Sequence, residues 1–141
     1  MRLYLDTSVL VSALTDEAQT PRTQAWLGRQ NSGSLAISEW VATEFSSALS
    51  IKLRAGQISV ANRADALALF ARLRAESFEF LPISGSQFRA AARFADEYAL
   101  GLRAGDALHL AICADHGATF CTLDRRLPGA AAALGVSVTL L

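Results

Sequence analysis

Short apolar runs of strand length alternate along this chain with helix-length segments, singly or in pairs. That alternation limits the available folds more than any other feature of the sequence. Strands at Leu3–Leu5, Leu35–Ile37, Phe78–Ile83, Ala118–Leu123 and Val136–Leu141 are separated by segments with helical spacing or helix punctuation. The pattern predicts an α/β fold of three-layer α/β/α type, with a mainly parallel central sheet of four to five short strands covered by helices. Hydrophobic residues make up 52% of the chain and charged residues 18%, which argues against disorder. No repeat, low-complexity tract or linker interrupts the 141 residues, so one domain over residues 1–141 is expected.

Capping residues set the expected helix limits. Val9–Leu14 forms a short helix, and Thr20-Pro21 starts the next with Thr20 as N-cap. Ser38 caps a long helix from Glu39 to Ala55, stopped by Gly56. A further helix runs from about Ser59 to Glu76, with Ala66, Leu67, Leu69, Phe70 and Leu73 on its inner face. Ser84 or Ser86 caps a helix reaching Tyr98, and Gly101 breaks it. The segment around Asp106 to His116 is apolar almost all round and reads as a buried helix closed by Gly117. A last short helix covers about Leu127 to Leu134.

Four carboxylates fall where apolar surroundings are expected. Asp6 ends the run Leu3-Tyr4-Leu5, and Asp124 follows Phe120-Cys121-Thr122-Leu123. Asp106 starts the buried helix, and Glu44 lies in the apolar stripe of the long one beside Phe45. An ionised carboxylate enters such a place only with a cation, a hydrogen-bond cage or a raised pKa. Ligands of parallel sheets bind beyond the carboxyl ends of the strands, where Asp6 and Asp124 lie. Each acid also has an ordinary reading: Asp6 as a helix cap, Asp124 as a turn residue before Arg125-Arg126, Asp106 as a helix-start acid, Glu44 as partly exposed. Taken together, they point to a metal site, and clustered oxygen ligands without His or Cys suit Mg²⁺ or Mn²⁺. Such a cation with open water positions performs phosphoryl chemistry, so the substrate is expected to carry phosphate.

Other residues carry weaker signals. Glu39 stands five residues before Glu44, on another face, and stabilises its helix start. His109 follows Asp106 by one turn and reads first as a partly buried helix histidine, with a position facing the acids as the alternative. Arg103 and Arg125 flank the acids as possible phosphate or balancing contacts. Asp65, Asp96, Glu97 and Asp115 read as solvated helix charges. Thirteen basic and thirteen acidic residues leave no net charge to advertise a nucleic-acid partner, without excluding local patches. Cys113 and Cys121 lie in apolar runs and are expected to be buried and reduced, as in a cytoplasmic protein. No signal peptide or membrane span is expected.

Read in order, Leu5-Asp6-Thr7-Ser8, Ser38…Glu44-Phe45, Gly105-Asp106-Ala107-Leu108-His109-Leu110-Ala111 and Thr122-Leu123-Asp124 resemble the motifs of PIN-domain ribonucleases of the VapC toxin type. The resemblance covers nearly the whole chain. It implies that Asp6, Glu44 and Asp106 form a metal-binding active site with Asp124 in support, and that Ser8 or Thr7, and Thr122, hydrogen-bond around it. It further implies a Mg²⁺- or Mn²⁺-dependent endoribonuclease, a homodimer and a cognate VapB-like antitoxin. Leu123 departs from relatives with a polar residue near the last acid. The competing reading is a catalytically silent PIN-fold module that binds RNA or protein. A haloacid-dehalogenase-like phosphatase needs a second Asp where Ser8 stands, a receiver domain needs an acidic pair and a late Lys, and no P-loop is present.

Overall fold

The computed structural model describes residues 1–141. Five strands form one sheet in the order β3-β2-β1-β4-β5, and every neighbouring pair is parallel. They are β1 (Leu3–Leu5), β2 (Leu35–Ile37), β3 (Glu79–Phe80), β4 (Thr119–Thr122) and β5 (Val138–Leu140). Seven α-helices accompany them: α1 (Thr7–Leu14), α2 (Thr20–Gly28), α3 (Glu39–Arg54), α4 (Val60–Glu76), α5 (Gly85–Asp96), α6 (Ala104–His116) and α7 (Leu127–Ala133). The architecture is α/β/α, as the alternation of apolar runs predicts. The "mainly parallel" sheet proves wholly parallel, with the upper strand number.

Strand order explains where a ligand can bind. The chain moves outward from β1 through β2 to β3, then returns to the other side of β1 with β4 and β5. The order therefore reverses between β1 and β4, and a crevice opens at their carboxyl ends. Leu3 pairs with Thr119 and Leu5 with Cys121, so Asp6 and the residues just after β4 emerge side by side.

The core packs the central strands against α1, α3 and α6. Tyr4, Leu5, Ile37, Phe45, Leu49, Leu110, Ile112 and Phe120 are all fully buried. In α6 the run Ala107–Cys113 is buried without a break, which is why its sequence shows no polar stripe. Burying each large side chain contributes roughly 1.5–3 kcal/mol. Both cysteines are buried and free.

Several expected boundaries shift for local reasons. Helix α1 begins at Thr7, directly after Asp6, because the strand hands the chain straight to a helix. Thr20 is not a cap; its hydroxyl, with one proton to share, lies 2.7 Å from the carbonyls of both Ser12 and Thr15 and accepts the Glu17 N–H, tying α2 back to α1. Ser38 occupies the N-cap position of α3 but makes no capping bond, since its hydroxyl serves Tyr4 instead. Strand β3 shrinks to two residues at the sheet edge, and α5 ends at Asp96, before a short 3₁₀ turn at Tyr98–Leu100 that closes on Gly101 at φ +66°. On α4 only Ala66 and Phe70 are buried, while Leu69 is exposed. Ser84, rather than Ser86, caps α5, in a capping box with Gln87.

Candidate active site

The four candidate acids come from four pieces of chain around the β1–β4 crevice, and of them Asp6 and Glu44 fall into one tight cluster, with His109. Asp6 leaves β1, Glu44 stands in the second turn of α3, Asp106 opens α6, and Asp124 follows β4. Asp6 occupies the N-cap position of α1, yet its side chain makes no capping bond, so the ordinary explanation for it fails. It is 7% exposed. Its Oδ2 accepts hydrogen bonds from Ser8 Oγ at 2.9 Å and Thr122 Oγ1 at 2.7 Å. Neither hydroxyl is free to wander: Ser8 accepts from the Leu123 N–H and Thr122 from the Asp124 N–H.

Glu44 is held in the same one-sided way. Thr7 Oγ1 donates to its Oε1 at 2.7 Å, and His109 Nε2 bonds that same oxygen. Burial pushes the Glu44 carboxyl up, but the hydrogen bonds of His109 and the Thr7 hydroxyl outweigh it, leaving Glu44 below its ordinary value. Glu44 Oε2 makes no protein hydrogen bond. It points instead at Gly105, where a Cβ would sit only 2.7 Å from it and 3.4 Å from Trp40 Nε1. The Trp40 N–H is buried and unpartnered.

Asp106 repeats the pattern at the start of α6. Its Oδ2 accepts the Arg103 backbone N–H at 3.3 Å, so part of its role is that of a helix-start acid. Its Oδ1 is unbonded. Burial raises its carboxyl above the ordinary value and the Asp6 charge adds to the rise, against the pull of the Arg103 N–H and Arg126.

Asp124 differs from the other three. Both of its oxygens are taken by Arg126: Oδ1 accepts from the backbone N–H at 2.9 Å and from Nε at 3.1 Å, and Oδ2 from Nη2 at 2.6 Å. The Arg126 hydrogen bond is the main reason its carboxyl lies below the ordinary range. Arg126 Nη2 also lies 3.9 Å from Asp106 Oδ2. The cation beside the acids is thus Arg126. Arg103 contributes its N–H to Asp106, and Arg125 forms no ion pair. Arg126→Gln is expected to raise the Asp124 titration midpoint toward the ordinary value of about 4, read by carboxyl-carbon NMR. The pairing stabilises the fold above that value and is lost as pH falls through the lowered one. An unmoved midpoint would refute the assignment of the shift to Arg126.

His109 is the residue that sequence reasoning undervalued. It is 1% exposed rather than partly buried. Its Nε2 faces Glu44 and lies 3.8 Å from Asp6 Oδ1, while Nδ1 lies 2.8 Å from the Tyr4 hydroxyl. One ligand atom each from Asp6, Glu44 and His109 lie within 4.8 Å of one another. The available signal was a lone imidazole one turn after Asp106 in an otherwise apolar run. Glu39, as its spacing predicts, stays outside and pairs with Arg74 on the surface.

Oxygen occupancy decides what this arrangement can hold. Asp6, Glu44 and Asp106 each have one oxygen tied by protein donors and the other without a protein hydrogen bond. Hard oxygen donors held this way fit a hard divalent cation such as Mg²⁺ or Mn²⁺. The doubly paired Asp124 fits a supporting place at the rim.

The chain matches the family model described as PIN domain over residues 3–133. No curated protein matches it. Among solved structures it is similar to PAE2754 from Pyrobaculum aerophilum, with TM-score 0.71, 22% identity, and coverage of 98% of this chain and 90% of that one. It is similar to VapC20 of Mycobacterium tuberculosis, a sarcin-ricin loop cleaving toxin, with TM-score 0.69, 17% identity, and coverage of 95% of each chain. VapBC-5 of M. tuberculosis, a member of the VapBC family of toxin–antitoxin systems, gives TM-score 0.63 and 22% identity over 100% of both chains. At these identities the structures speak for the fold alone. The family match spans all five strands except β5, along with all seven helices, and on that extent the chain belongs to the PIN domain family.

Proposed function

We propose that this chain is a metal-dependent endoribonuclease of the VapC type, the toxin of a type II toxin–antitoxin pair. The observation that carries the reading is the division of labour within the acids: three carboxylates each keep one oxygen unbonded while protein donors hold the other. Membership of the PIN family and likeness in fold to a sarcin-ricin loop cleaving toxin support the same conclusion. The free oxygens of Asp6, Glu44 and Asp106 would hold Mg²⁺ or Mn²⁺, with Asp124 in support. Bound there, such a cation would supply Lewis acidity, lowering the pKa of a water and screening charge on the phosphate.

The chain's own residues set up the reaction. Ser8 and Thr122 aim Asp6, Thr7 and His109 aim Glu44, and the Arg103 N–H aims Asp106. Arg126, exposed at the rim, presents a guanidinium suited to the RNA backbone. The protein would act in the cytoplasm as one domain over residues 1–141, as a homodimer restrained by a VapB-like antitoxin. No helix is long and apolar enough to cross a membrane.

Purified protein is expected to cleave RNA with Mg²⁺ or Mn²⁺, and to lose cleavage with EDTA and in Asp6→Asn. Full activity in Asp6→Asn, after removal of contaminating nuclease, would overturn the site. Absence of metal binding would favour the catalytically silent RNA- or protein-binding module instead.

A further inference from the structure

We infer that His109 is a positioning residue, anchored at Nδ1 by a buried hydroxyl relay, Ser38–Tyr4–His109, whose Nε2–H holds Glu44 Oε1 from behind and leaves Oε2 to the cation. The inference rests on the metal-site reading above and extends it to residues behind the acids. Tyr4, Ser38 and His109 are all buried to within 1% of complete. Tyr4 Oη lies 2.7 Å from Ser38 Oγ and 2.8 Å from His109 Nδ1, and no water is needed to complete the chain.

Proton directions follow from what each group can donate. Nδ1 faces the Tyr4 hydroxyl, which can donate to it, and Nε2 faces a carboxylate oxygen, which accepts, so Nε2 carries the hydrogen that joins them. Burial holds the Tyr4 hydroxyl well above its ordinary range, so it keeps its proton and can donate to Nδ1. Ser38 then donates to the Tyr4 oxygen. Every buried polar atom of the relay is satisfied in this arrangement, and moving the hydrogen from Nε2 to Nδ1 would leave Nε2 facing a carboxylate with two lone pairs opposed. The relay thereby fixes Glu44 Oε1 from behind, opposite the Thr7 hydroxyl. Outer partners of this kind orient metal ligands and commonly carry ten- to hundredfold in metal affinity.

The relay also explains features that packing alone does not. A tyrosine stands at the centre of the sheet, where phenylalanine would fill the same volume, and Ser38 gives up its helix cap to reach it. The His109 ring packs beside Tyr4 and Phe120, with centroids 5.6 and 6.2 Å away, which restricts its rotation.

The test compares wild type with Tyr4→Phe, His109→Gln and His109→Leu. Imidazole ¹⁵N NMR on metal-free protein reads the tautomer, and titration calorimetry reads Mn²⁺ affinity. Wild type is expected to show protonated Nε2 and bare Nδ1, and Tyr4→Phe, which keeps Glu44 opposite Nε2, to keep its fold and that tautomer while its Nδ1 resonance shifts with the loss of the hydroxyl donor. Mn²⁺ binding should weaken about tenfold in His109→Leu, and His109→Gln, whose amide N–H has similar reach, should recover most of the loss. A protonated Nδ1 in wild type would overturn the proposal. So would wild-type affinity in a folded His109→Leu, or a loss in His109→Gln as large as in His109→Leu. A Mn²⁺–nitrogen coupling to His109 in pulsed EPR would make it a ligand, not a positioner. If wild type binds no Mn²⁺, the metal reading fails, while the tautomer still decides the relay.

Discussion

Asp106→Asn should remove RNA cleavage by about 10³-fold or more, equivalent to roughly 4 kcal/mol of transition-state stabilisation, while making the metal-free protein more heat-stable. Both effects have one cause. Asp106 is partly buried and faces the charge of Asp6, and its carboxyl is raised above the ordinary value by burial first and by that charge second. A carboxyl with a raised folded pKa costs stability once it ionises. The metal-free wild type therefore loses stability as pH climbs from about 4 through the raised value. Asn keeps an oxygen for the Arg103 N–H and carries no charge. The gain in Tm should be present at neutral pH in EDTA and shrink below the ordinary carboxylate range, where the wild-type group is already protonated. Acid loss of stability from Glu44 and Asp124, both held low, is common to the two proteins and cancels in the difference. Added Mn²⁺ should raise the wild-type Tm by mass action and leave the variant nearly unmoved. A variant with lowered Tm in EDTA, or one that still cleaves RNA at wild-type rates, would contradict the assignment.

Gly105→Ala should separate stability from function in the other direction. A Cβ at Gly105 meets Glu44 Oε2 at 2.7 Å, a distance that forces a shift. The atom in the way is the end of a long side chain, so the fold absorbs the change cheaply. Alanine also favours helix by up to about 1 kcal/mol over glycine. Tm is therefore expected to stay within a few degrees of wild type, by about the margin such an energy allows. Glu44 cannot swing without consequence, because Thr7 and His109 hold its other oxygen. The displaced oxygen is the one proposed to face the cation. Mn²⁺ affinity and cleavage should fall together by about tenfold or more, about 1.4 kcal/mol at the least. Calorimetry and single-turnover cleavage check this directly. Unchanged affinity would show that Glu44 has a second productive position. The glycine would then serve only to admit the Trp40 N–H, which lies 3.4 Å from the same point.

Much of this architecture was legible before any coordinates. Buried parallel strands need continuous apolar residues, so Leu3–Leu5 and Phe120–Thr122 announce themselves locally. Gly56, Gly101 and Gly117 mark turns at positive φ, where a side chain would be strained. Strand β3 was overestimated because Phe78, Leu81 and Ile83 pack against the core from irregular backbone. Composition records that burial without recording the hydrogen bonds that define a strand. Leu69 was misplaced for a related reason: helical spacing selects a stripe, but the neighbours decide how wide a stripe is covered.

At the site, the choice of Asp6, Glu44, Asp106 and Asp124 came from carboxylates placed against the local pattern. That test is local and works on sequence. The roles within the set did not come that way. Asp6 and Thr122 are 116 positions apart, and Tyr4 and His109 are 105 apart. Arg126 rather than Arg103 or Arg125 became the partner of Asp124 because the turn after β4 directs that one guanidinium back across it. The sequence by itself determined the α/β alternation and the parallel sheet, and it set the four acids against apolar surroundings, because period and capping act over a few residues. Only tertiary structure decided which oxygen of each acid is tied, which cation answers Asp124, and that His109 stands behind Glu44. Those outcomes depend on distances of about 3 Å between residues that only the packed sheet brings together.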